Sequence, residues 1–184
     1  SLKIVSKEGL QSSRTNYIRL NRVKLNYKPS NKDKAINDSR YVYRITVRIL
    51  GIGSPTEMKI PLFILFRALG KISDKEIINT IIYDNDSEKL KQNLYELLEP
   101  SIKDSQMIST QREAYKLLMM HTKGKETLNV IELLKHNFLP NYESDEEKSY
   151  FLGYSVRQLL MTYSKIYNET DRDSYSFKRI DLAG

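Results

Sequence analysis

Arg40-Tyr41-Val42-Tyr43-Arg44-Ile45-Thr46-Val47-Arg48-Ile49-Leu50 reads with a period of two. Tyr41, Tyr43, Ile45, Val47 and Ile49 are apolar, and Arg40, Arg44, Thr46 and Arg48 fall between them. Successive side chains of a strand point to opposite faces. The pattern therefore predicts a half-buried β-strand with one face on a core and arginines on the other. Upstream, Arg22-Val23-Lys24-Leu25-Asn26-Tyr27-Lys28 repeats the alternation more weakly, with Val23, Leu25 and Tyr27 on one side. The polar run from Pro29 to Asp38 between them suits a loop, so an antiparallel pair is the economical arrangement.

Past Gly51-Ile52-Gly53-Ser54-Pro55 the pattern turns helical. Pro61 opens Leu62-Phe63-Ile64-Leu65-Phe66-Arg67-Ala68-Leu69, and Gly70 closes it. This helix is apolar nearly all round, which predicts burial. Ser73 with Glu76, Thr110 with Glu113, and Ser144 with Glu147 have the spacing of capping boxes, each followed by apolar residues at helical spacing. Another helix is expected from Asp86-Ser87-Glu88 through Leu90, Leu94, Leu97 and Leu98 until Pro100 stops it. A further short one is expected over Leu128 to Lys135. Tyr41, Tyr43 and Tyr154 fall on apolar faces and are assigned to the core. The expected fold is α+β, helix-dominated, with a small antiparallel sheet from the N-terminal third. Its parts are 1–57, strands and loops; 58–170, helices; and 171–184, a closing segment.

Composition narrows the chemistry. The 184 residues contain no cysteine, which excludes disulfides, thiolate metal sites and cysteine nucleophiles. No apolar run approaches the roughly 18 residues of a membrane span. No glycine-rich phosphate cradle of the P-loop or dinucleotide type is present. His121 and His136 stand alone, as solvent-facing or helix-end residues. Residues 1–60 hold 13 Lys and Arg against 4 Asp and Glu, net +9, whereas the remaining 17 and 19 give −2. A basic excess confined to one third of a chain is an electrostatic footprint for polyanions, nucleic acid first.

Three further stretches, in order, carry a family resemblance. Ile60-Pro61 through Phe66-Arg67-Ala68-Leu69-Gly70, with Ser73-Asp74-Lys75-Glu76-Ile77 after it, resembles the "IPIxxxFRALG" helix of the second-largest subunit of multisubunit DNA-directed RNA polymerases, in its eukaryotic and archaeal form. Phe138-Leu139-Pro140 with Phe151-Leu152-Gly153-Tyr154 is similar to the "FLPH … FLGYM" segment of the same subunit. Asp171-Arg172-Asp173 through Lys178-Arg179-Ile180-Asp181-Leu182-Ala183-Gly184 resembles the "DRDHFGKKRLDLAG" run leading from lobe to fork, with Ser174 and Ser176 replacing its His and Gly. The resemblance covers about residues 58–184. It implies the lobe of a several-fold longer subunit, with 171–184 starting the connection to the fork and the last residues still helical.

The family is a nucleotidyltransferase whose magnesium is held mainly by the largest subunit. The resemblance therefore implies no cofactor and no catalysis in this segment, a place in the DNA cleft and the transcription bubble, and docking on the largest subunit and on other domains of its own. No membrane partner is implied. It further implies a nuclear location in a eukaryotic cell, or virion or host compartments for a large DNA virus, whose AT-rich coding the Lys, Asn and Ile richness would suit. The alternative is a protein-interaction module, docking polymerase domains or transcription factors with little DNA contact.

Two sets of residues are candidates for nucleic acid. Arg40, Arg44 and Arg48, four residues apart, stand roughly 13 Å from one to the next on a strand face. With Arg22 and Lys24 on the neighbouring strand they could track phosphates, which guanidinium groups bind through two donors at once. A basic strand that simply resists aggregation is the other reading. In the closing segment Tyr175, beside Asp173 and Lys178, is a candidate for stacking on a base, and the resemblance implies that Asp173 accepts from a base edge while Lys178 and Arg179 hold phosphates.

Overall fold

A computed structural model of the chain describes residues 1–7, 13–24, 41–53, 58–123, 126–164 and 180–183. The alternating segment forms strand β3, Tyr41–Arg48, antiparallel to β2, Arg14–Lys24, with Tyr17 opposite Arg48 at one end and Lys24 opposite Tyr41 at the other. β2 therefore starts eight residues before the weakly alternating segment at Arg22, and 25–40 lie outside the described residues. β1, Leu2–Lys7, pairs antiparallel with β2, and the two-residue β4, Ile60–Pro61, pairs antiparallel with β3. The expected helix at the end of the sequence is instead β5, Ile180–Ala183, parallel to β1. Its pairing at a sheet edge outweighs the helical reading, since the ladder satisfies its backbone groups. The sheet order is β4-β3-β2-β1-β5, so the antiparallel sheet of the N-terminal third is present and gains a parallel edge.

Six helices follow β4 among the described residues: α1, Leu62–Ala68; α2, Asp74–Ile81; α3, Glu88–Asp104; α4, Gln111–Met119; α5, Thr127–Asn137; and α6, Asp145–Tyr163. All three expected capping boxes are formed, at Ser73, Thr110 and Ser144. α1 is buried throughout. Gly70 takes φ +93°, its N–H bonding Arg67 O at 3.0 Å while the Lys71 N–H bonds Phe66 O at 3.0 Å. This paired closure of the last carbonyls is the Schellman motif, and only glycine enters its left-handed position without cost.

α3 runs past Pro100 to Asp104, contrary to the expected stop. A proline removes one N–H and leaves the carbonyl of Glu96 without its intrahelical donor, but Glu96 is exposed and water can serve it. The extra turn is fixed from outside: Ser101 is buried, and its Oγ accepts the Ile45 N–H at 2.9 Å, satisfying the flank of β3 beyond the short β4.

One core joins the layers: Ile4, Ile18, Ile45 and Val47 from the sheet, Phe63 and Phe66 from α1, and Leu152, Val156 and Leu160 from α6. Burying each such side chain contributes about 1.5–3 kcal/mol. Three buried cations tie the helices together. Arg67 of α1 donates to Ser105 O at 2.8 Å and Ile72 O at 3.2 Å and pairs with Asp74 of α2. Arg157 of α6 forms a two-pronged pair with Asp86 at 2.6 and 2.7 Å, donates to Ile81 O at 3.0 Å, and lies 4.2 Å from the Tyr83 ring centre. Lys148 donates to Leu134 O at 2.8 Å and Lys135 O at 3.0 Å, closing the C-terminus of α5 where its dipole favours a cation.

Candidate nucleic-acid interface

Residues directly opposite in an antiparallel pair project to the same side of the sheet. The register places Ile18 opposite Val47 and Leu20 opposite Ile45, on the side packed by helices. The other side carries Lys3 of β1, Tyr17, Arg19 and Asn21 of β2, and Arg44, Thr46 and Arg48 of β3. Lys3 is exposed, and Tyr17, Arg19, Arg44 and Arg48 are half-buried. Their long side chains lie across the sheet and cover it while remaining in contact with solvent.

The basic residues here are held in place. The Arg19 guanidinium lies 5.1 Å from the centre of the Tyr17 ring. Asn21 donates to Thr46 Oγ1 at 2.6 Å, a cross-strand bond between the flanking arginines. Nε of both Arg19 and Arg44 is buried, so the inner edge of each guanidinium lies out of solvent. An arrangement of this kind can meet a line of anions without first ordering its side chains, which is how a phosphate backbone is tracked.

The expected set is only partly brought together. Arg44 and Arg48 share the open face as the alternation requires. Arg22 does not join them: it lies opposite Tyr43, and Lys24 lies opposite Tyr41, the reverse parity. Tyr43 belongs to the helix side, its ring 5.1 Å from Tyr163 of α6. That contact, first through the Tyr43 hydrogen bond and then through burial, raises the Tyr163 phenol above its ordinary value. The sequence pattern groups Val23 with Leu25 and Tyr27 as the apolar side, but a residue two positions from Asn21 shares the open face. Arg44 is also partly neutralised, by an ion pair to Asp104 at the end of α3 at 2.8 Å. Arg40, Asp173, Tyr175, Lys178 and Arg179 lie outside the described residues.

Four members of the face escape the sequence reading: Lys3, Tyr17, Arg19 and Asn21. The signal is present, because Tyr17-Ile18-Arg19-Leu20-Asn21 alternates as cleanly as β3 does. Elsewhere, Tyr154 is 44% exposed rather than in the core. Asp86, expected only as an acidic helix start, is instead the partner of Arg157. Among the described residues no three His, Cys, Asp or Glu side chains converge to hold a metal, and no helix is long and apolar enough to cross a membrane.

The model of the family described as RNA polymerase Rpb2, domain 2, matches residues 35–181. The chain belongs to this family. As an Rpb2 domain 2 it is a domain of the second-largest RNA polymerase subunit, the lobe to which the three sequence stretches point. It is 31% identical over 192 aligned positions to the DNA-directed RNA polymerase II subunit RPB2 of Encephalitozoon cuniculi, covering 98% of this chain and 16% of that protein. To the DNA-directed RNA polymerase II subunit 2 of Arabidopsis thaliana it is 34% identical over 136 positions, 68% of this chain and 11% of the relative. An archaeal relative, the polymerase subunit Rpo2 of Saccharolobus solfataricus, is 29% identical over 135 positions, again 68% and 11%. The Rpb2 domain 2 thus spans a sixth or less of the length of these relatives.

Proposed function

We propose that this domain is a non-catalytic wall of the DNA cleft in a DNA-directed RNA polymerase, and that its open sheet face lies along the nucleic-acid backbone and helps to hold the transcription bubble. The observation that carries the reading is the shared face of Arg19, Arg44 and Arg48, set by strand register and backed by a rigid core. Guanidinium groups spaced along a strand neutralise phosphates without reading bases, as a polymerase that travels over every sequence requires. Chemistry belongs to the whole assembly: nucleotidyl transfer, with its magnesium held mainly by the largest subunit. This domain positions and does not react. The family's eukaryotic relatives support a nuclear setting, and membership supports docking on other polymerase subunits, here the largest subunit and neighbouring domains of its own.

The test is fluorescence anisotropy of a labelled duplex against salt, with the full chain. Wild type should bind near the non-specific range, about 10⁻⁴–10⁻⁶ M at physiological salt. The Arg19→Ala/Arg48→Ala double variant should weaken binding and reduce the log–log salt slope by about one for each phosphate no longer neutralised. Arg22→Ala, on the helix side, should change the slope less. An unchanged slope in the double variant would refute the open-face reading. The alternative, docking on protein with little DNA contact, draws on a different surface.

A further inference from the structure

The outer surface of α6 differs in kind from the sheet. Between Tyr142 and Tyr154 the chain carries Glu143, Asp145, Glu146 and Glu147, all exposed, and its one basic residue, Lys148, is buried beneath α5. Rings run through these carboxylates. Tyr142 lies 5.4 Å from Phe151, and Phe151 lies 6.3 Å from Tyr154, centre to centre. Tyr150 and Tyr154, one helical turn apart, are 54% and 44% exposed. Exposed aromatics grouped in this way are unusual on a surface with no partner.

The fold already seats a cation here. Lys71, from the turn after α1, places Nζ 4.7 Å from the centre of the Tyr150 ring and 3.7 Å from Glu146 Oε1. Ring face and carboxylate together hold one ammonium, and the same elements recur along the helix. Burial, then the charge of Glu147, raises the Tyr142 phenol above its ordinary value. Such a surface repels a phosphate polymer and attracts cations that can stack.

We propose that the Tyr142–Tyr154 face of α6 is a docking surface for an extended, arginine- or lysine-rich segment of a partner protein, whose cations stack on Tyr150 and Tyr154 and pair with Glu143 and Glu147. The partner is a protein and not nucleic acid, because every solvent-facing charge on this stretch is negative. This surface is separate from the open face of the sheet.

The probe is a fluorescein-labelled dodecapeptide of alternating Arg and Ala, titrated with the full chain, with the Gln–Ala peptide as neutral control. The arginine peptide should bind and the control should not. Tyr150→Ala and Tyr154→Ala should each weaken binding about two- to fivefold, whereas Tyr154→Phe, which keeps the ring, should bind like wild type. Glu143→Gln with Glu147→Gln should weaken binding and flatten its salt dependence, with the capping box kept by the glutamine. Both tyrosines are exposed, so melting temperatures should stay near wild type and binding losses can be read directly. Arg19→Ala/Arg48→Ala should leave peptide binding intact, which separates this face from the sheet. Peptide affinity unchanged in Tyr150→Ala/Tyr154→Ala, or duplex DNA affinity lost in that variant, would overturn the proposal.

Discussion

Gly153 shows how one missing atom sets the distance between two helices. A Cβ at this position would stand 2.6 Å from the carbonyl oxygen and from Oγ1 of Thr80 on α2. Replacing a helical glycine by alanine usually stabilises by about 0.5–1 kcal/mol. Here the obstacle is backbone, so Gly153→Ala should instead destabilise by about 1–3 kcal/mol, measurable by chemical or thermal unfolding. The same reasoning gives physical content to two stretches that sequence alone shows only as resemblance. Phe-Leu-Gly-Tyr is a close helix crossing, and Phe-Arg-Ala-Leu-Gly is a helix closure with a buried arginine strut. Charge can be tested at this scale too. The paired hydrogen bonds from Arg157 hold the Asp86 carboxyl below its ordinary value, against the opposing effect of burial. A lowered carboxylate contributes stability that is complete above the unfolded-chain value, about 4, and lost as pH falls through the native value. Wild type should therefore lose stability on acidification below about pH 4 more steeply than Asp86→Ala. At neutral pH the variant should be less stable by about 3–5 kcal/mol, since the buried Arg157 loses the carboxylate that balances its charge.

At the scale of elements, local signals are legible where they are self-contained. Capping boxes need only four residues, and all three form as the spacing predicts. Signals settled by a distant partner are not legible. Pro100 reads as a stop, yet α3 continues because Ser101 closes the flank of β3, 56 residues away in sequence. Removing that acceptor by Ser101→Ala should leave the Ile45 N–H buried and unsatisfied, costing about 1–3 kcal/mol. Amide exchange at Ile45 should accelerate more than at Val47, whose strand neighbour on that flank is Ile60. Likewise the last residues favour helix by composition and become strand by pairing with β1.

For the whole molecule, what the sequence conceals is register. Composition locates the basic third, and alternation finds Arg44 and Arg48. Which residues of the next strand stand beside them depends on a pairing offset that no local pattern carries: a shift of one residue exchanges the two faces. Arg22 is thereby assigned the wrong neighbours, and Arg19 and Tyr17 are passed over. Two of the three family strings lie in the helical part, where they specify packing, and so point to the fold without marking the sheet face. The two proposed surfaces carry opposite charge, and salt should weaken DNA at one and a cationic peptide at the other without cross-competition between them.

The parallel pairing of β5 with β1 has a mechanical consequence. Leu2 begins one strand and Ala183 ends the other, so tension applied at these two points pulls the strands lengthwise past each other. Their hydrogen bonds are then strained together rather than parted in succession like a zip. The seam between the first and last strands should act as a clamp, giving way abruptly at high load, while the helices behind it carry none of the strain.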